Sequence, residues 1–288
     1  MATRRSPLAR AQTAQVAAAL TAAGHEVDLL ELVTTGDRWS AADSAATPDR
    51  GMFVKELEQA LLDGRADLAV HSAKDLPTEL PPGLAVVATP ARADARDVLV
   101  GASALDDLAA GARVGTGSPR RQAQLRSVRS DLEVVAVRGN VGTRLDLVDR
   151  GDVDALVLAA AGLARLGVTR GDVTHLPEDV CTPAAGQGIL ALEGRSDDAA
   201  VRAALHVIDH APTRLCLDVE REVLTRLGGG CFAPVGAFCR PDGEHVVLTV
   251  FRASDADAGD AVRVSLTAHR DRAASLVDDA VAALAVAP

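Results

Sequence analysis

The first stretch with regular apolar spacing begins at Ser6-Pro7. A serine cap with proline at the first helical position opens a helix through Ala11, Val16 and Leu20, which stops at Gly24. Val27–Leu32 reads as a strand. Residues 34–51 have no apolar period and read as a long polar loop, disordered or acting as a lid. Phe53–Asp63 has the spacing of a short amphipathic helix ended by Gly64. Asp67–His71 reads as a buried strand, followed by the polar turn HSAKDLP.

The pattern then recurs. Arg113–Gly115 ends a short strand, Ser118-Pro119 opens a helix, and Leu132–Val137 is a strand. Val141–Arg150 is a helix and Asp154–Ala159 a buried strand. Two echoes relate the halves. Thr3-x-x-Ser6-Pro7 answers Thr116-x-Ser118-Pro119, and Gly64-x-x-Asp67 before LAV answers Gly151-x-x-Asp154 before ALV. Strands alternating with helices predict parallel sheets, which bind ligands at the carboxyl ends of their strands. After Pro212 the pattern changes. A helix over Leu215–Leu227 leads to GGGCFAP. Runs at Val235–Cys239, His245–Phe251 and Ala261–Ala268 then predict a small antiparallel sheet, with a last helix over Arg272–Ala285.

The 288 residues suffice for two domains or three small ones. Aromatic residues make up 2% of them, which argues against a nucleic-acid binder that stacks bases. A net charge of −10 argues the same way unless basic residues cluster. Lys55 and Lys74 are the only lysines among 30 basic residues. The longest apolar run, Ala155–Ala164, is far short of the roughly 18–20 residues that cross a bilayer. Residues 1–25 lack Asp and Glu and carry Arg4-Arg5, as targeting segments do, but the capped helix accounts for them better. Cys181, Cys216, Cys231 and Cys239 have no C-x-x-C spacing, so neither a metal site nor a disulfide framework is expected. A reduced cytoplasm is the expected setting.

Each Ser-Pro helix start offers unpaired backbone N–H groups at a strand's carboxyl edge, with arginines beside it. Arg4, Arg5, Arg120, Arg121, Arg138 and Arg144 could hold carboxylates or phosphates by paired hydrogen bonds, each worth roughly 1.5–3 kcal/mol when desolvated. The plain reading is ordinary capping with solvated arginines; the pairing of the two motifs favours a multi-anion cleft between two lobes. Asp75 before Leu-Pro is either a turn residue or an acid/base beside the Lys74 cation. Cys231, after three glycines, is either a small turn residue or an exposed nucleophile or attachment point. The other cysteines are expected to pack. His71 is expected to be hydrogen-bonded structure, and GQGILALE to mark a close backbone approach.

The segments ATRRSPLA, GMFVKELEQALLDGRADLAVHSAKDLP, VGTGSPRRQAQL, VRGNVGTRL, AAAGLARLG, PAAGQGILALE and LGGGCFAPVGA together resemble the porphobilinogen deaminase family, in order and over nearly the whole chain. The resemblance implies an α/β fold: two periplasmic-binding-protein-like, doubly wound lobes and a small C-terminal α/β domain with an antiparallel sheet. The implied boundaries are 1–90 with 189–208, 91–188, and 209–288. It implies a transferase of tetrapyrrole biosynthesis that joins four porphobilinogens head to tail on a covalent dipyrromethane, giving linear hydroxymethylbilane. Cys231 matches the thioether attachment point and Asp75 the catalytic aspartate. Arg4, Ser6, Lys74, Thr116, Ser118, Arg120, Arg121, Arg138 and Arg144 match positions that bind acetate and propionate groups. Lys55, Arg50 and Gln187 match positions near the cleft. No metal, nucleic acid or membrane is implied, and a monomer is expected. The alternatives are a non-catalytic anion binder or an inactive paralogue on the same fold. Three places depart from the family pattern: the short first strand, Gly117 and Pro119 in the Thr116–Arg121 turn, and TPDRG before Met52.

Overall fold

The structure is a computed structural model that describes residues 1–38, 54–228 and 233–286. The chain forms two compact units, Met1–Ala93 with Ile189–Arg214, and Asp94–Gly188 with Leu215–Pro288. Arg50, Cys231 and most of the expected lid lie outside the described residues.

In the first unit, strand β1 (Ala2–Arg4) leads into helix α1 (Pro7–Ala22) and strand β2 (Leu30–Leu32). Helical turn α2 (Thr35–Arg38) occupies the start of the stretch expected to be loop. Helix α3 (Lys55–Leu62) and strands β3 (Ala69–Ser72) and β4 (Leu84–Ala88) follow. Successive β3 residues point to opposite faces. Val70 packs with Val16 and Leu20 of α1. Ala69 packs with Leu57, Ala60 and Leu61 of α3. Helices on both faces are the reason Ala69 and Val70, on opposite faces of this strand, are both apolar and buried. The α1 start forms as the sequence dictates: the Ser6 hydroxyl accepts from the Ala9 amide at 3.2 Å, and Pro7 lacks the N–H that would go unpaired.

The second unit opens with strand β5 (Asp97–Val100), then β6 (Arg113–Gly115), helix α4 (Pro119–Val128), β7 (Glu133–Val135), helix α5 (Val141–Asp149), β8 (Ala155–Ala159), helix α6 (Ala160–Arg165) and β9 (Val173–His175). Alternation again sorts the core. Leu99, Val114, Ala155 and Val157 meet Leu125 of α4. Val98, Val100, Leu156 and Leu158 meet Leu145 of α5 and Leu163 of α6.

Strand β10 (Leu190–Arg195) and helix α7 (Ala199–Leu205) belong to the first unit, as does the first turn of helix α8 (Ala211–Arg226), whose remainder from Leu215 belongs to the second. A meander of β11 (Val235–Asp242), β12 (His245–Arg252) and β13 (Val262–His269) and helix α9 (Ala273–Val286) complete the chain. The meander buries Ala237, Cys239, Val246, Leu248 and Val250 against Val219 and Val223 of α8 and Leu276, Val277 and Ala280 of α9. This is the small antiparallel sheet with helices expected from the sequence.

The two larger sheets have the same plan. Their orders are β2-β1-β3-β10-β4 and β7-β6-β8-β5-β9. The first three strands of each run parallel. The fourth is antiparallel to both its neighbours. The echoes in sequence thus match a repeat in topology. The expectation of wholly parallel sheets is corrected to mixed ones: β5 and β10, where the chain enters one unit and returns to the other, insert against the run of the rest.

Candidate functional site

In the first unit, the carboxyl ends of β1 and β3 converge. Arg4 ends β1, Ser6 caps α1, and the turn Ala73–Asp75 follows β3 directly. Arg4, Ser6, Gln12, His71, Ser72 and Asp75 line one depression there. Asp75 is exposed and Lys74 half-buried. Gln12 donates its amide to the Ser72 hydroxyl at 2.6 Å, which fixes the end of β3 against α1. Thr13 donates to the Thr3 hydroxyl at 2.7 Å and ties the same helix to β1. The sequence reading did not single out Gln12 or Ser72; Ser72 lies inside the HSAKD motif, whereas Gln12 looks like any helical polar residue. Arg5 is exposed, and Lys55 opens α3 at the surface.

Beneath this floor lie Glu58, His71 and Glu193. His71 Nε2 approaches the fully buried Glu193 carboxylate at 2.9 Å. Burial and the Glu193 charge push the Glu58 carboxyl up, with His71 and Lys55 pulling it down. His71 is therefore buried and faces Glu193, but its Nε2 and both Glu193 oxygens make no hydrogen bond, contrary to the expectation of hydrogen-bonded structure, and it borders the depression.

In the second unit, Thr116 follows β6 and is buried. Its hydroxyl accepts from the Ser118 amide at 3.3 Å. Ser118 occupies the cap position of α4, but its side chain accepts no capping bond, unlike Ser6. Gly117 explains itself: a Cβ there would stand 2.7 Å from the Val137 carbonyl oxygen, so the close pass of the turn excludes any side chain. Arg138 is exposed beyond β7, and Arg144 donates Nε to the Gly139 carbonyl at 2.8 Å. Gly139 has φ +103°, and Asn140 caps α5 by accepting from the Thr143 amide at 2.9 Å.

Arg120 and Arg121 do not line an open surface. They turn inward and are 3% and 6% exposed. Both pair with Asp97, at 2.8 and 2.7 Å. Gln187 joins them, donating to Asp97 at 2.8 Å and to the Ala95 carbonyl at 2.7 Å. The expectation of six arginines open to bound anions at helix starts is corrected for these two, because the buried Asp97 carboxylate draws both inward. Burial pushes the Asp97 carboxyl up, but the Arg120 and Arg121 charges with hydrogen bonds from Arg121 and Gln187 outweigh it and hold the group well below the usual range. The Cys181 thiol donates to the other Asp97 oxygen at 3.1 Å, and burial pushes that thiol up to about 12. Cys181, Cys216 and Cys239 are buried in the core and in no disulfide, as expected.

Two guanidiniums against one carboxylate leave the network with an excess positive charge, and Arg120 Nε is buried without a partner. Arg165 of α6 also has a buried, unpartnered Nε, while its Nη2 donates to the Gly188 carbonyl at 2.7 Å. Burial lowers the pKa of Arg165. Arg165 was not singled out from the sequence, although it sits in AAAGLARLG. Unsatisfied buried N–H donors on cations are the feature that a carboxylate-rich group would complete, so these residues fit dipyrromethane and its acidic side chains.

A family model described as porphobilinogen deaminase, dipyromethane cofactor binding domain, matches residues 1–203. The porphobilinogen deaminase of Desulforudis audaxviator is 48% identical over 95% of this chain and 90% of its own length. That of Syntrophus aciditrophicus is 45% identical over 86% of this chain and 82% of its own. Among solved structures, a putative methionine-binding lipoprotein of Bacillus subtilis aligns at 13% identity with a TM-score of 0.43, over 74% of this chain and 90% of that one. That alignment is loose, and the sheet order describes the lobes better. Motifs in family order, high identity over nearly full length and a cationic site suited to acidic pyrroles agree: the chain belongs to the porphobilinogen deaminase family.

Proposed function

We propose that this chain is the transferase that joins four porphobilinogens head to tail and releases hydroxymethylbilane in tetrapyrrole biosynthesis, with Asp75 as its acid/base residue. The observation that carries the role is the exposure of Asp75 on the turn after β3, in one depression with Arg4 and Ser6. Arg4 and Ser6 can hold a substrate carboxylate there while Asp75 faces the aminomethyl group. Asp75 protonates the leaving amine, ammonia departs, and the resulting carboxylate lies beside the cationic methylene-pyrrole it stabilises. Proton donation of this kind contributes typically about 10²–10⁴-fold. Lys74 keeps a second positive charge next to the aspartate. In the second unit Thr116, Ser118, Arg138 and Arg144 supply donors at strand ends, and Arg120 and Arg121 a fixed positive field.

The dipyrromethane, when bound through a thioether to Cys231, supplies the primer on which the chain grows. Lys55, Arg50 and Gln187 are proposed to act near the cleft only on the family resemblance of their positions. The division into 1–90 with 189–208, 91–188, and 209–288 is supported by the three separate sheets. No described helix is long and apolar enough to cross a membrane. A cytoplasmic monomer is part of the proposal.

The deciding variant is Asp75→Asn. It should retain the covalent adduct by intact mass while bilane formation falls at least about 100-fold, at the lower edge of acid–base effects. Near-normal bilane formation would remove Asp75 from this role.

A further inference from the structure

We infer that Asp97, which touches none of the reacting groups in this reading, is a positioning residue that aims Arg120 and Arg121 and sets how tightly substrate carboxylates are held. The inference rests on the proposed role of those arginines as a fixed positive field that attracts substrate carboxylates, and goes beyond it.

Asp97 is the first residue of β5 and is fully buried. Its Oδ1 accepts from Arg121 Nε at 3.0 Å, Arg121 Nη2 at 2.7 Å and Gln187 Nε2 at 2.8 Å. Its Oδ2 faces Arg120 Nη2 at 2.8 Å and the Cys181 thiol at 3.1 Å. Three residues matched to the site by sequence therefore converge on one carboxylate that the sequence did not mark. The far sides of the arginines are also fixed. Arg121 Nη1 donates to the Val157 carbonyl at 3.0 Å, and Arg120 Nη1 to the Thr182 carbonyl. Every polar nitrogen of Arg121 is thus taken, whereas Arg120 keeps one buried donor, Nε, unpartnered.

The geometry makes Asp97 hard to replace. Both carboxylate oxygens receive only donors, so an asparagine amide in either orientation would turn an N–H toward other N–H or S–H groups. The charge balance matters as well. One carboxylate holds two guanidiniums in place without neutralising both, so a positive field persists in a buried setting where it is strong. A preorganised cation loses less freedom on binding an anion than one that must be ordered first. Loss of that order weakens binding of acidic substrate more than it slows the proton transfer at Asp75, which lies in the other unit.

The test uses the cofactor-loaded enzyme, sorted by intact mass, with KM and kcat for porphobilinogen and a thermal melt for each variant. Asp97→Asn should raise KM at least about tenfold with kcat changed less than about threefold. Asp97→Glu keeps the charge but displaces it by one methylene. It should melt within a few degrees of the parent and raise KM by a smaller factor, so it decides the matter if the asparagine variant does not fold. A folded, loaded Asp97→Glu with the parental KM overturns the inference, as does a variant in which kcat falls and KM stays. Arg120→Lys, which keeps the charge and loses Nε–H, separates the two layers. A raised KM there beside an unchanged KM in Asp97→Glu leaves the arginine reading standing and removes Asp97 alone. An unchanged KM in Arg120→Lys removes the carboxylate reading, and the inference with it.

Discussion

Asp97 shows how a single buried charge governs its surroundings. In the folded chain its carboxyl lies well below the ordinary range, held there by Arg120 and Arg121 against the opposing effect of burial. In the unfolded chain it returns to about 3.9. A group depressed in this way contributes stability that is fully present above the unfolded value and is lost as pH falls through the folded value. Melting temperature should therefore decline below about pH 4, and Asp97→Asn should flatten that decline while lowering stability near neutrality. Parallel slopes for the two proteins between pH 5 and 3 would contradict the assignment. Little of this was legible in the sequence. RRQ after Ser118-Pro119 announced two arginines beside a helix start, but a lone Asp in ARADARDVLV carries no signal of its partners. Asp97 and Arg121, 24 residues apart in the chain, are brought together by β5 and α4. Asp75 was legible as the polar turn after the buried run Asp67–His71, and its role and that of Arg4 through the family motifs HSAKDLP and ATRRSPLA.

At the level of elements, the sequence spoke where local chemistry decides. Helix α1 begins at Pro7 with Ser6 as cap, and β6 spans Arg113–Gly115 as read. Boundaries drifted where no cap intervenes: β2 covers Leu30–Leu32 instead of starting at Val27. GQGILALE reads as a close backbone approach, and its second half runs into β10, a strand between β3 and β4 that the sequence reading did not foresee. The apolar run Ile189–Leu192 is too short for period to separate strand from buried helix, and its partners lie far away in sequence. The Thr116–Arg121 turn offers an element-scale test. Gly117→Ala places a Cβ 2.7 Å from the Val137 oxygen, so β6, β7 or the start of α4 must shift. We expect a lower melting temperature and a higher KM for porphobilinogen than in the parent; a variant matching the parent in both would show that the turn yields without consequence. The departure of Gly117 from the usual family residue thus has a local steric cause in this chain.

Over the whole molecule, a net charge of −10 coexists with a concentrated set of cations. Intact mass of the protein purified from cells that make porphyrins should show an adduct of dipyrromethane size, and peptide mapping should place it on Cys231; an unmodified mass would exclude that cysteine as the attachment point. The scarcity of aromatic side chains implies that pyrrole rings are held through their carboxylates, not by stacking. Sequence alone determined the family, the helix starts, the related halves and the antiparallel tail, because each rests on short-range patterns: caps, turn residues, apolar period and ordered motifs. Tertiary structure decided the rest. It inserted β5 and β10 antiparallel into otherwise parallel sheets, set Glu193 beside His71, and turned Arg120 and Arg121 from an expected open surface onto Asp97. Those outcomes depend on which distant segments share a desolvated interior. There a buried carboxylate must find its cations, and the chain order does not state which ones.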